Sequence, residues 1–109
     1  MGRQNSSYLQ GTVELLVLKV LSRAPLHGYG IAKWIGEETA GVLELEDAAL
    51  YQALHRMESK EWIEAEWGRT ETGRKAKLYR LTEAGTKRLD TGADGFKSYA
   101  AAVLKVLEA

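Results

Sequence analysis

In the run EDAALYQALHRMESKEWIEAEW, from Glu46 to Trp67, the apolar spacing changes from helical to two-residue within a few positions. Leu50, Ala53, Leu54 and Met57 fall at i, i+3, i+4 and i+7, one stripe of a helix. From Trp62 onward, Ile63, Ala65 and Trp67 alternate with Trp62, Glu64 and Glu66, as in a strand with one covered face. No linker separates the two patterns, so helix and strand must pack in one unit. The next run, KAKLYRL from Lys75 to Leu81, is also strand-like, with Tyr79 and Leu81 inward. Between the runs lies GRTETG, Gly68 to Gly73, a turn with a glycine at each end. The expected unit is a helix followed by a β-hairpin whose tip and arm carry Arg69, Arg74, Lys75 and Lys77.

Two helices are expected upstream. Val13, Leu16, Val17, Val20 and Leu21 form one face, widened by Leu15 and Leu18, and Ala24-Pro25 ends that helix. A second helix is expected from about Gly28 to Thr39, with Ile31, Ala32 and Ile35 inward and Gly41 as its stop. Asp47 is a capping-type residue near the start of the third. Downstream of the hairpin, Thr82 is expected to cap a last helix. In it Leu89, Ala93, Phe96, Ala100, Val103 and Leu107 follow alternating steps of four and three, the seam of a helix that pairs with another helix.

A chain of 109 residues with 45% apolar content fits one domain with a modest core, a size that often gains stability by self-pairing. There is no cysteine, hence no disulfide framework and no thiolate chemistry, which fits a reducing compartment. No apolar run approaches the ~20 residues of a membrane span, and MGRQNSSYLQ lacks an apolar signal core, so a cytoplasmic protein without membrane association is expected. The zero net charge hides an uneven distribution. Residues 37–66 hold nine acidic and two basic residues, whereas residues 67–88 hold seven basic and two acidic. Local charge decides attraction to a polyanion, and the hairpin region is basic.

Catalytic constellations are missing, and no enzyme is expected. His27 and His55 have no partners at metal-ligand spacing, and Gly28-Tyr29-Gly30 lacks the strand and third glycine of a dinucleotide site. No metal and no cofactor are expected. Three helices, a hairpin and a last helix describe an α+β winged helix-turn-helix with a C-terminal dimerisation helix. In that arrangement the third helix enters the major groove and the hairpin, or wing, follows the backbone or minor groove. The face opposite the apolar stripe carries Ala48, Gln52, His55 and Ser59, with Ala49 and Arg56 beside them and Tyr51 on the flank. Glutamine and arginine can make paired hydrogen bonds to base edges, while wing cations hold phosphates and position without specifying. A plainer reading has His55 as a surface histidine, Arg56 paired with Glu44 or Glu46, and Trp34, Trp62 and Trp67 as core and hairpin cover.

The pieces HGYGIA, LYQALHRME and YRLTEAG, in that order and spacing, resemble the PadR family of bacterial transcriptional regulators. The short chain, the EWG segment and the single C-terminal helix look like its small acidobacterial-type branch. The resemblance implies a homodimeric winged-helix repressor of operator DNA, paired through terminal helices, with a small flat aromatic effector in some members. It assigns residues 1–88 to DNA binding and 89–109 to dimerisation. DNA contacts are expected from Tyr29, Tyr51, Gln52, His55, Arg56, Arg69, Arg74, Lys75 and Lys77. The dimer is expected to use Leu89, Ala93, Phe96, Ala100, Val103 and Leu107. Four positions depart from the family pattern: Ala48-Ala49 replaces Gly-Ser or Gly-Thr, Gln52 a proline, Glu61 a helix-ending glycine and Phe96 a tryptophan. The rival expectation is a winged-helix protein-interaction module, or an aromatic-ligand sensor, with weak DNA binding.

Overall fold

The computed structural model describes residues 2–109, with side chains from Gly11 onward. The elements are α1 (Gly2–Leu21), β1 (Leu26–His27), α2 (Gly28–Glu38), α3 (Asp47–Ser59), β2 (Ile63–Arg69), β3 (Lys75–Leu81) and α4 (Glu83–Leu107). The α+β winged helix-turn-helix architecture is as expected. The helical stripe of α3 is the centre of the core: Leu50, Ala53, Leu54 and Met57 are all buried, against Val17 and Leu18 of α1 and Ile31 and Ile35 of α2. Each large apolar side chain so buried contributes about 1.5–3 kcal/mol. Ile63 and Tyr79 close this core from the hairpin.

The sheet holds one strand that periodicity does not reveal. Leu26 and His27 pair with Tyr79 and Leu78 of β3, giving a three-stranded antiparallel sheet of order β1-β3-β2. This short strand anchors the start of α2 to the base of the wing. His27 reinforces it: its Nδ1–H donates to the carbonyl of Lys77 at 2.8 Å. The turn is also tighter than expected, because β2 continues through Gly68 and Arg69, and Thr70 and Arg74 close the loop by a backbone bond of 2.8 Å. In α1, Leu18 rather than Leu16 is fully buried; Leu16 packs on the core only in part.

Helix ends differ in part from expectation. Gly41 ends α2 as expected, at φ +82°, but Ala40 before it is left-handed too, at φ +53°. Gly41 N–H bonds Gly36 O and Ala40 N–H bonds Glu37 O, the paired closure of a Schellman end. Asp47 does not cap α3. The N-cap is Glu46, whose side chain makes no capping bond, and Asp47 sits in the first turn, where its charge favours the helix dipole. Thr82 caps α4 as expected, its hydroxyl accepting from Gly85 N–H at 3.0 Å. Gly85 itself has no room for a side chain, since a Cβ there would overlap the carbonyl oxygen of Trp62. That close approach seats α4 against the α3–β2 junction. The ring of Trp62 is flanked by Lys60 and Arg88, 4.8 and 5.0 Å from its centre.

Glu61 occupies the left-handed position that ends α3, at φ +63°, with Trp62 N–H bonded to Met57 O and Glu61 N–H to Glu58 O. A non-glycine residue pays about 1–2 kcal/mol there. Glycine's greater loss of freedom on folding offsets about 0.5–1 kcal/mol of that relief. Glu61→Gly should therefore stabilise the fold by about 0.5–1 kcal/mol, read as a higher urea midpoint with an unchanged slope. An unmoved midpoint would show that the helix end carries no such cost.

Candidate nucleic-acid interface

The wing's arm explains where the sequence alternation leads. The registers Ile63↔Leu81, Ala65↔Tyr79, Trp67↔Lys77 and Arg69↔Lys75 place these residues on one face. At the base this face covers the core. Beyond Ala65 it runs past the body of the domain, and Trp67 is 61% exposed instead of covered. The same alternation that buries Ile63 thus turns Trp67, Lys75 and Lys77 towards a groove between the wing and α3. Lys75 and Lys77 set their ammonium groups 5.3 and 5.6 Å from the centre of the Trp67 ring. The cations are spaced by the indole, a contact favourable through the ring's negative face.

The groove's other wall is built by α2 and α3. Tyr29, on the first turn of α2, is exposed, and Tyr51 and His55 project from α3. Gly28 sets the position of Tyr51: a Cβ there would lie 2.6 Å from the tyrosine hydroxyl oxygen. Tyr79 lies at the floor. Burial, then the Glu58 carboxylate and Tyr51, raise its pKa above the ordinary phenol value, so it stays a neutral hydrogen-bonding group. Four cations, Arg69, Arg74, Lys75 and Lys77, face this groove against the carboxylates Glu58 and Glu71.

The residues expected at DNA do not share one environment. Gln52 is exposed on the outward side of α3, as are Tyr51 and His55. Arg74 and Lys75 are exposed on the wing, and Arg69 Nη1 donates to Gly73 O at 2.9 Å, which braces the turn. Arg56 is pinned: its Nε lies 3.2 Å from Glu14 Oε2 of α1, not beside Glu44 or Glu46. Lys77 is also tied, 3.3 Å from Glu58 Oε1. Sequence reading missed Glu14, Glu58 and the groove-facing role of Trp67. The first two partners are 42 and 19 residues from their cations, beyond any local pattern.

The dimer candidates divide along α4. Leu89 packs on the core, Ala93 and Ala100 are half-buried, and Phe96, Val103 and Leu107 are exposed. Tyr99, Leu104 and Val106 widen this open apolar surface. Helix α4 is continuous across the 88/89 division. Among the described residues no group of His, Asp and Glu is arranged to hold a metal ion, and no helix is long and apolar enough to cross a membrane.

Residues 17–91 match the family model described as the transcriptional regulator PadR-like family. An uncharacterized protein of Lysinibacillus sphaericus is 32% identical over 80 residues, which covers 73% of this chain and 73% of that protein. A transcriptional regulator from Clostridium thermocellum superposes with a TM-score of 0.83 at 26% identity, covering 92% of this chain and 97% of the other. A PadR family transcriptional regulator from Eggerthella lenta does so with a TM-score of 0.80 at 27% identity, covering 98% and 91%.

Proposed function

Because the chain belongs to the PadR-like family of transcriptional regulators, which are not enzymes, we propose that it represses transcription by binding operator DNA as a homodimer. The observation that carries this reading is the shared orientation of two surfaces. The exposed side of α3, with Tyr51 and His55, and the exposed wing cations Arg74 and Lys75 border one groove. A duplex entering it meets α3 in its major groove and the wing along its backbone. Gln52 and His55 read base edges, with Tyr29 and Tyr51 packing beside them. Arg74 and Lys75 neutralise phosphates, and Arg69 stiffens the turn that presents them. Arg56 and Lys77 reach DNA only by leaving Glu14 and Glu58.

Two copies join through the open surface of α4 around Phe96, Ala100, Val103 and Leu107, with Leu89 and Ala93 at the end nearest the core. The division at 88/89 is then one of role within a continuous helix. A flat aromatic effector would compete with DNA for Tyr29, Tyr51 and Trp67. Repression of transcription places the protein in the cytoplasm, with the chromosome.

Gln52→Ala tests the reading role of α3. Losing one base-edge contact should cost about 1–3 kcal/mol on the best-bound duplex and much less on scrambled DNA of equal length and salt. An equal loss on both would make Gln52 a backbone contact. No loss on either would mean that this face of α3 meets something other than DNA.

A further inference from the structure

We infer that Glu14 and Glu58 are specificity-determining residues, each holding one cation of the DNA-facing side away from phosphates and so lowering affinity for DNA of arbitrary sequence. The inference rests on the DNA-binding reading above. In both pairs the carboxylate is the less exposed member: 14% for Glu14 against 41% for Arg56, and 29% for Glu58 against 34% for Lys77. The carboxylates are fixed by their helices, and the longer cationic side chains come to them. Partly buried pairs are screened less by salt than exposed ones. The Lys77 ammonium has one further neighbour, the Trp67 ring. A further ion pair among the described residues, Arg80–Glu66, differs, since Glu66 is mostly exposed and both residues stand on the strand face opposite Trp67 and Lys77; Arg56 and Glu14 lie beside the groove, not in its lining.

The consequence follows from what each kind of DNA offers. Binding to arbitrary sequence depends on neutralising phosphates, so each restrained cation is a lost contact there. An operator adds base contacts from α3, which do not depend on Arg56 or Lys77 leaving their partners. The two glutamates therefore lower arbitrary binding more than operator binding.

The test measures affinity against salt for the wild type, Glu14→Gln, Glu58→Gln and the double variant. The probes are a random-sequence duplex and the best-bound duplex. Each released cation should steepen the random-duplex slope by about 0.9 units per protomer. Affinity for the random duplex should rise several-fold, more than for the best-bound one, so the ratio of the two falls. Glu58→Asp keeps the charge but withdraws the carboxylate from Lys77, and should fall between the wild type and Glu58→Gln. Unchanged slopes and ratio would overturn the inference. If the glutamine variants fail to fold in thermal melts, Lys77→Met decides: an unchanged random-duplex slope supports the inference, and a slope flattened by about one unit overturns it. A wild type that binds neither duplex would instead remove the DNA-binding reading, an outcome distinct from all of these.

Discussion

Replacing Phe96 and Val103 with glutamate should convert the proposed homodimer to monomers at micromolar concentration in sedimentation velocity. In the single chain these side chains are 44% and 37% exposed on α4, and this remaining accessible area is what the proposed partner would cover. Taking about 1 kcal/mol for each of two residues in two copies, the loss is roughly 4 kcal/mol, or about 10³-fold in the dissociation constant. The true effect should be larger. Glutamates brought towards their own copies across a two-fold axis would be buried without partners, which costs more than the lost apolar contact. The fold itself should survive, because neither residue belongs to the core around Leu50, Leu54 and Met57. A monomeric mass with a cooperative melt, its midpoint lowered only by the loss of the dimer's stabilisation, is the expected combination. Affinity for DNA should fall too, since two half-sites would no longer be bound as one linked event. A double variant that remains dimeric would show that this surface of α4 is not the interface.

Replacing Arg74 and Lys75 with alanine should flatten the dependence of log affinity on log salt by up to about 2 units per protomer. Both are exposed on the wing, and among the described residues neither takes part in an ion pair; those pairs use Arg56, Lys77 and Arg80. They are thus the wing cations best placed to release counterions on binding. At ~0.1 M salt the slope change corresponds to up to ~10²-fold in affinity for each protomer. The loss should be similar on every sequence, because phosphate contacts position the protein without reading bases. An unchanged slope would remove the wing from the interface.

Much of this architecture was legible in the sequence because it depends on local periodicity. The stripe from Leu50 to Met57, the alternation from Ile63 and the capping threonine Thr82 each express a rule that acts within a few residues, and each element formed as expected. β1 was not legible, since two residues after a proline have no period of their own. Their bonds come from Leu78 and Tyr79, about fifty residues downstream. Trp67 shows a different limit. Its place in the alternation was readable, but the point where the wing outgrows the body depends on the size of the core beneath it. The candidate site was legible as a set of residue types and less so as a set of free groups. Arg56 and Lys77 have donors suited to DNA, and only the packing of α1 and α3 reveals that Glu14 and Glu58 already engage them.

The most direct test of the central claim, that a dimer presents two copies of α3 and the wing to an operator, is selection of bound duplexes from random DNA by the purified protein. The account predicts enrichment of an inverted repeat whose half-site centres lie about one helical turn, or a whole multiple of it, apart, since both α3 helices must meet the major groove on one side of the duplex. Recovery of sequences no different from the starting pool, or of a single half-site without a symmetric mate, would contradict it.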